Sequence, residues 1–442
     1  MDKRFKVIAG SVTAPSGFLA SGVFCDIKRL GTGKGSNKGQ KPDLGLIVSE
    51  LPAAAAGMFT TNQVCAAPVK ICIEHLKRGT GQAIVVNSGN ANACTGLQGL
   101  KNAREMARIV ANELHMPPQH VLVGSTGRIG LPLPMRNVEQ GILLALKALG
   151  SSPAHAGQFA EAIMTSDSRP KAIAVELLRV SKRVRLGGVC KGAGMIQPGL
   201  SRSGRRPPAG PAHATMLAFI TSDAAVEQKL LQSCLEQAVA NSFNRITVDG
   251  DMSTNDTVIV LANGAAENKS LSGADRQSLA KFQSALNFVT LELAKMIVRD
   301  GEGASRFVTI RLCGARSFDD ADAAVRAVGN SALVKTSWCG GDPNWGRIID
   351  ALGYSRAKIL EEKVDIAYSR PDSKKLFFSL KRGQPADTPF ADLCKIVAER
   401  EFDLHINLNM GKAAAILYSS DLTEAYVDFN KGDVTDPASL GG

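Results

Sequence analysis

The sequence predicts an α/β protein, and three observations support this prediction. The chain has 442 residues, enough for two or three globular units with buried cores. Hydrophobic residues make up 44% and charged residues 21%, the usual balance of a folded soluble protein. Strand-like apolar runs alternate with segments whose apolar residues recur at helical spacing. This alternation favours an α/β or α+β architecture over an all-helical or all-β one.

In the first half, two apolar strands each run into a turn of small residues. The segment QAIVVNSGNANACTG contains a strand at residues 83–86 and a turn at residues 87–96. A helix follows, because LKNAREMARIVANELHM carries apolar residues at helical spacing. A second strand, residues 121–123, ends in the glycine-rich turn of GSTGRIG. A further helix, a polar turn at residues 165–167 and another strand follow.

The second half opens on TMLAFITSDAAV, whose alternating and β-branched residues predict a strand. A helix near residues 226–242 comes next. The segment NRITVDGDMSTNDTVIVLANG then predicts a strand, an acidic loop and a second strand. A long amphipathic helix at about residues 279–299 ends at DGEGAS, where glycines stop it.

The composition indicates which binding partners and which cellular compartment to expect. The net charge is +11, and basic proteins bind nucleic acid by releasing counterions from phosphates. Aromatic residues are only 5% of the chain and no basic run is interleaved with them, and anionic small substrates or a solvated basic surface explain the charge as well as nucleic acid does. No apolar run is long enough for a signal peptide or a membrane span. We therefore predict a cytoplasmic protein without nucleic-acid or membrane partners.

The sequence predicts neither a metal site nor a resident cofactor. Nine scattered cysteines include no C-x-x-C pair and suit neither a disulfide framework nor a structural zinc. The loop GTGKGSNKG, residues 31–39, lacks the spacing of a phosphate-binding loop. In DGDMSTNDT the oxygen ligands of Asp249, Asp251, Asn255 and Asp256 suit Mg²⁺ or Ca²⁺, but a hydrogen-bonded turn is the favoured interpretation.

Thr215, in ATMLAFITSDAA, raises a chemical question. A threonine hydroxyl is a poor nucleophile without an adjacent base, and a threonine at the start of a chain can use its own α-amine. The unperturbed pKa of that amine, about 7.7 to 8, lies near the working pH. Cleavage between Ala214 and Thr215 would create the amine, whereas an ordinary ATM tripeptide would simply start a strand.

Ten motifs in order resemble the ornithine acetyltransferase family of arginine biosynthesis, also called bifunctional glutamate N-acetyltransferase. They are GMFTTNQVCAAPV, NSGNANACTG, STGRIG, MTSDSRPK, KGAGMI, ATMLAFITSDAA, FNRITVDGDMSTNDT, VRDGEGA, GGDPNWGRI and NMGKAAA. The resemblance extends from about Gly10 to Thr435. Any one motif alone would be a weak signal, whereas ten in order are a strong one. The implied fold is a layered α/β sandwich.

The resemblance implies self-cleavage into two chains that stay associated, residues 1–214 and residues 215–442. Ala214–Thr215 is then the scissile bond and Thr215 the nucleophile. The hydroxyl of Thr126 and the backbone N–H of Gly127 would form the oxyanion hole. Two copies of each chain would assemble into a heterotetramer.

The resemblance also assigns substrate-binding residues. Thr165 and Lys191 would contact the substrate together with Thr215, although Ser166 stands where the family usually has a second threonine. Glu302 would bind the substrate's ammonium group. The remaining pair, Asn430 and Thr435, keeps the family's spacing but lacks the usual intervening tyrosine.

The implied reaction moves the acetyl group of N²-acetyl-L-ornithine to L-glutamate through an acetyl-threonine intermediate. The resemblance leaves open whether acetyl-CoA serves as a second donor. Two alternatives stay open: a hydrolase or aminopeptidase on the same fold, against which Lys191, Glu302 and Asn430 count, and an uncleaved inactive homologue.

One segment departs from the family. Lys191 and Thr215 are 24 positions apart, and a basic segment rich in proline and glycine, near residues 199–212, separates them by more than the family does. Such an insertion could relax the strain that self-cleavage needs, or bulge into solvent at a modest entropic cost. We favour retained activity, and an error in the gene model would give the same anomaly.

Overall fold

The computed structural model describes residues 4–28, 41–178, 182–205 and 216–431. Two compact units are present among them. The first contains the described residues up to Asn244 together with Asp251–Ile297, and the second contains Arg245–Gly250 and Val298–Lys431. Each unit is built on one β-sheet.

The described strands divide between a ten-stranded sheet in the first unit and a seven-stranded sheet in the second. In chain order they are Phe5–Ile8 (β1), Phe18–Val23 (β2), Leu44–Thr60 (β3), Thr80–Asn90 (β4), Val121–Arg128 (β5), Lys171–Leu177 (β6), Arg185–Lys191 (β7), Leu200–Ser201 (β8), Leu217–Ser222 (β9), Ile246–Thr247 (β10), Thr257–Ala262 (β11), Phe307–Ala315 (β12), Asp365–Ser369 (β13), Phe377–Lys381 (β14), Gln384–Pro385 (β15), Glu401–Asn407 (β16) and Ala413–Ser420 (β17).

Helices cover both sheets. The described α-helices are Ala67–His75 (α1), Gly96–Glu113 (α2), Met135–Lys147 (α3), Pro153–Ala162 (α4), Gln228–Ala240 (α5), Arg276–Arg299 (α6), Phe318–Asn330 (α7), Ala332–Cys339 (α8), Trp345–Gly353 (α9), Phe390–Val397 (α10) and Glu424–Phe429 (α11). Helix α6 matches the long amphipathic helix predicted near residues 279–299 and begins three residues earlier.

The ten-stranded sheet follows the order β1-β6-β7-β9-β11-β3-β4-β5, with β2 and β8 also paired to β3. Strand β4 shows why the sheet is buried on both faces. Ile84 and Val86 belong to one apolar core, and Ala83 and Val85 to another. Alternate residues of a strand point to opposite faces, so an uninterrupted apolar run suits a sheet that is covered on both sides.

Two parallel strand pairs, β4–β5 and β9–β11, are joined by helical connections through α2 and α5. Parallel neighbours need such a crossover, which accounts for the strand-turn-helix-strand pattern seen in the sequence. The centre of the sheet is β9, which pairs antiparallel with β7 and parallel with β11. Strand β9 begins two residues after the predicted nucleophile, Thr215, which lies outside the described residues.

The seven-stranded sheet follows the order β10-β17-β12-β16-β13-β14-β15. One of its faces carries an apolar core built from alternate residues of its strands together with helices α7, α8 and α9. Trp338 of α8 is fully buried there, and its ring meets the ring of Phe402 edge to face, with centroids 6.2 Å apart.

The predicted α/β class is confirmed, since each unit combines a mixed sheet with helices packed against it. The predicted division at Ala214–Thr215 is a cleavage site in the chain and not a boundary between compact units. It stays a prediction. Within the described ranges, no helix has the length and apolar character needed to cross a membrane.

Replacing Trp338 by Ala should lower the free energy of unfolding by about 3–5 kcal/mol, because it removes a fully buried ring and leaves a cavity. Leu333→Ala is the control, on the same helix but 56% exposed, and should change stability by less than about 0.5 kcal/mol. Urea denaturation of both variants measures the difference. Equal losses would show that the Trp338 side chain does not anchor this core.

Candidate active site

Four of the predicted site residues lie in the first unit, and three of them meet through hydrogen bonds. Lys191, the last residue of β7, donates from Nζ to Thr165 Oγ1 at 2.7 Å and to Thr126 Oγ1 at 3.3 Å. Lys191 and Thr126 are 2% and 1% exposed. Residues from three separate stretches of the chain therefore converge on one ammonium group.

Sheet register places Lys191 beside the start of β9. Lys191 pairs with Leu217 in the antiparallel β7–β9 ladder, and Leu217 pairs with Thr257 on its other side. Residue 215 precedes Leu217 by two positions and lies outside the described residues. Its neighbour Met216 is buried, and the Met216 amide donates a hydrogen bond to the side chain of Asp256.

Thr126 and Gly127, predicted in a turn, lie in the last part of β5 and pair with Ser88 and Gly89 of β4, where the strand register is irregular. Thr126 accepts the bond from Lys191, which leaves its own hydroxyl proton for another acceptor. Gly127 follows and is exposed, with φ at +127°. A Cβ at Gly127 would come within 2.4 Å of the carbonyl carbon of Gly89, so only glycine fits here.

Asp167 is the counter-charge of this cluster. Its carboxylate lies 3.8 Å from Lys191 Nζ and 2.6 Å from Lys171 Nζ, and it accepts the backbone N–H of Gly192 at 2.6 Å and of Thr165 at 3.0 Å. Burial by itself raises the pKa of Asp167. The two ammonium groups and these hydrogen bonds outweigh burial and hold that pKa well below its usual range.

A further lysine, Lys28, is buried near the same cluster. Its Nζ donates to the carbonyl of Pro42 at 2.6 Å, and its backbone lies against Gly89. Burial lowers the pKa of Lys28 to about 8, and the charge of Lys191 adds to this effect while Asp43 and Asp167 oppose it. Three buried lysines, Lys28, Lys171 and Lys191, and two buried carboxylates, Asp43 and Asp167, therefore lie close together.

The remaining described site residues lie in the second unit. Asn430, at the end of α11, donates from Nδ2 to Glu302 Oε2 at 2.9 Å. Their role in substrate binding stays a prediction. Three predicted residues, Ala214, Thr215 and Thr435, lie outside the described residues, and so does the loop at residues 31–39.

The acidic loop contains hydrogen-bonded groups. Asn255 donates to two backbone carbonyls, Asp256 accepts the Met216 amide, and Asp249 accepts from the hydroxyl of Tyr426 at 3.4 Å. Within the described part of the chain, no group of three or more His, Cys, Asp or Glu side chains is arranged to hold a metal ion. The hydrogen bonds support the interpretation of this segment as a structured turn.

The first residues of the basic segment before Thr215, up to Arg205, lie within the described part of the chain. Leu200 and Ser201 form β8, which pairs with Thr60 and Phe59 at the end of β3. The amide of Leu200 also donates to Asn244 Oδ1 at 2.9 Å. The segment is thus attached to the sheet at Leu200 and Ser201, and the structure describes it as far as Arg205.

Sequence reasoning missed Asp167, Lys171, Lys28 and the dipeptide Asn255–Asp256 as parts of this site. Asp167 and Lys171 both stand in the motif MTSDSRPK, so the motif itself was a usable signal. Asn255 and Asp256 stand in the motif FNRITVDGDMSTNDT, but their partners are distant in the chain, and Lys28 lies in none of the ten motifs.

Comparison with known proteins identifies the family. The sequence profile of the ArgJ family matches residues 25–433. The chain belongs to the ArgJ family. ArgJ of Symbiobacterium thermophilum, a bifunctional protein of arginine biosynthesis, is 43% identical over 96% of this chain and 98% of its own length. The glutamate N-acetyltransferase of Methanocaldococcus jannaschii is 42% identical over the same shares of the two chains.

Solved structures of the ArgJ family are also similar to this chain. The crystal structure of ornithine acetyltransferase from Mycobacterium tuberculosis, complexed with ornithine, is 37% identical. The structural match covers 45% of this chain and 100% of the ornithine acetyltransferase chain, with a TM-score of 0.40.

Asp167→Asn should lower the free energy of unfolding at pH 7 by about 3–5 kcal/mol, because it leaves two buried lysines without their counter-charge. The pKa of Asp167 is depressed in the folded state, so its stabilisation is fully present above the unfolded pKa of about 3.9 and is lost as pH falls further. The gap between wild type and variant should therefore be constant above about pH 5 and shrink below about pH 4.

Denaturation at a series of pH values measures this gap. Asp392→Asn removes a carboxylate paired with Lys395 on the surface, and it serves as the control with little expected effect. A gap for Asp167→Asn that widens toward low pH would contradict the assignment of Asp167 as an ionised counter-charge.

Proposed function

We propose that this ArgJ-family chain transfers the acetyl group of N²-acetyl-L-ornithine to L-glutamate and releases L-ornithine and N-acetyl-L-glutamate. The observation that carries the proposal is the convergence of Thr126, Thr165 and Lys191 at the position in the sheet that faces Leu217. The acyltransferase activity named for relatives that match nearly the whole chain supports it.

The first half-reaction forms an acetyl ester on Thr215. The α-amine of Thr215, exposed by cleavage after Ala214, takes the proton of Thr215 Oγ while Oγ bonds to the acetyl carbonyl carbon. The negative charge on the carbonyl oxygen is stabilised by the hydroxyl of Thr126 and the N–H of Gly127. The bond from the acetyl carbon to the ornithine nitrogen then breaks, and the ammonium of Thr215 returns the proton to that nitrogen.

The second half-reaction uses the same groups in reverse. The amine of glutamate attacks the ester carbon, the ester bond to Thr215 Oγ breaks, and the proton lost by the amine returns to Oγ through the α-amine. Both amino-acid substrates carry a carboxylate, so one cationic site serves each in turn. We assign Thr165, Lys191, Glu302, Asn430 and Thr435 to substrate binding.

Lys191 has an electrostatic role in this scheme. Its charge is balanced in part by Asp167, and its bond to Thr126 leaves the Thr126 proton for the acetyl oxygen. A positive charge near the α-amine of Thr215 favours the neutral, basic form of that amine. The same lysine thus supports both the base and the oxyanion donor.

The processing and assembly are part of the proposal. The chain splits into residues 1–214 and 215–442, and two of each associate in the cytoplasm. The pairing of β8 with β3 supports an insertion whose first residues are seated on the sheet. No cofactor takes part, and acetyl-CoA is a candidate second donor to be tested as a replacement for acetylornithine.

Thr215→Ala should abolish both splitting of the chain and acetyl transfer, because it removes the hydroxyl that both reactions need. A denaturing gel and an assay of acetyl transfer from acetylornithine to glutamate measure the two effects. Transfer by the variant at the wild-type rate would refute the nucleophile assignment. An uncleaved, inactive wild-type chain would favour the alternative of an inactive homologue, and acetate release without glutamate would favour a hydrolase.

Gly127→Ala should lower kcat by about 10²–10³-fold, because the added methyl group displaces one oxyanion donor. The control is Gly130→Ala, three residues further on. Gly130 also has a positive φ, +84°, but nothing lies within 4 Å of its Cβ position. Similar kcat values for the two variants would show that steric displacement at Gly127 does not matter for turnover.

A further inference from the structure

The acidic loop before β11 has no role in the mechanism above, although it lies beside the site. Its last two residues, Asn255 and Asp256, are 2% and 0% exposed. Both side chains make hydrogen bonds to backbone atoms of distant segments. We propose that Asn255 is a positioning residue. It fixes the oxyanion turn, which is Thr126 and Gly127 near the end of β5, relative to the strand beginning at Leu217, and this role rests on the proposed acetyl transfer.

The amide of Asn255 bonds to the residue that follows β4 and to a residue of β5. Its Nδ2 donates to the carbonyl of Ala91 at 2.7 Å and to the carbonyl of Ser125 at 2.8 Å, residues 164 and 130 positions away. Both N–H groups of the amide are thereby used. Ser125 directly precedes Thr126, so the bond to its carbonyl restrains the peptide from which the oxyanion turn begins.

Asp256, the next residue, restrains the segment that leads into β9. The Asp256 side chain accepts the amide of Met216, and the backbone carbonyl of Asp256 accepts the amide of Thr60 at 2.9 Å. Asp256 also immediately precedes Thr257, the cross-strand partner of Leu217. Consecutive side chains therefore hold a segment from before the predicted cut and a segment from after it.

Two further hydrogen bonds restrain the strands next to the oxyanion turn. Ser125 Oγ donates to Asn87 Oδ1 at 2.6 Å, and Asn87 Nδ2 donates to the carbonyl of Asn90 at 2.8 Å. The first bond joins β5 to β4 and the second lies within β4, whereas Asn255 links the ends of both strands to the loop that leads into β11. An alanine at position 255 cannot make this link, and a serine has only one N–H or O–H donor to offer.

Preorganised donors stabilise an oxyanion only when they already lie at the right distance, and a shift of about 1 Å can cost about 10²-fold in rate. Asn255 is buried and its amide bonds to the carbonyl of Ser125, directly before Thr126, so its loss should act through Thr126 and Gly127. The expected signature is a lower kcat with a nearly unchanged KM.

Asn263 offers a matched control. It lies at the other end of β11, about 20 Å from Asn255 by the length of a six-residue strand, and is 7% exposed. Its Nδ2 also donates to backbone carbonyls, those of Ser16 at 3.0 Å and Gly17 at 3.4 Å. Asn255 and Asn263 thus have similar structural roles in the same sheet, at different distances from the site.

The experiment compares Asn255→Ala and Asn255→Ser with Asn263→Ala and Asn263→Ser in the full chain. For each, the thermal midpoint, the split fraction on a denaturing gel, and kcat and KM per split chain for transfer from acetylornithine to glutamate are measured. Both pairs should lose a similar amount of thermal stability. Only the Asn255 pair should split slowly, and kcat should fall about 10- to 100-fold for Asn255→Ala with a KM within about threefold of wild type.

The other outcomes overturn the proposal. They are equal kcat values in the two pairs, a raised KM with unchanged kcat at position 255, or failure of both Asn255 variants to fold while the Asn263 variants fold. A wild-type chain that does not transfer acetyl would instead refute the proposed function, which separates that failure from a failure of this inference.

Discussion

The position of β9 in the middle of the ten-stranded sheet is the constraint on which the candidate site depends. Pairing with β7 sets Lys191 opposite Leu217, and pairing with β11 sets Thr257 on the other side. A slip of the register by one residue would turn every side chain of β9 to the opposite face. All six residues of β9 are buried, so such a slip would force each side chain into the close-packed space of the opposite face and is strongly disfavoured.

This constraint explains how a chain cut at the predicted bond would keep its candidate site. Strand β7 lies before the predicted scissile bond, and strands β9 and β11 lie after it, yet the three form adjacent ladders. Breaking one peptide bond upstream of β9 removes none of these ladder hydrogen bonds. The sheet therefore holds the parts together, and the buried polar groups around Lys191 are positioned by a framework that does not need an intact connection.

The sequence predicted the α/β class, the helix at α6 and the strands β4, β5 and β9, because these depend on local periodicity, but it did not predict β7, which carries Lys191. It did not predict the contacts of Asn255 and Asp256, because their partners lie up to 164 positions away and no local pattern reports such pairings. The charge balance around Asp167 was missed for a similar reason. A carboxylate in a polar turn resembles a solvated one until the burial of its lysine partners is known.

The most direct test of the account is the mass of the purified chains after mixing with acetylornithine and without glutamate. We expect two chains, with one acetyl group on the peptide that begins with Thr215. Adding glutamate should remove that group. An acetyl group carried by another residue, or full turnover by an unbroken polypeptide, would contradict it.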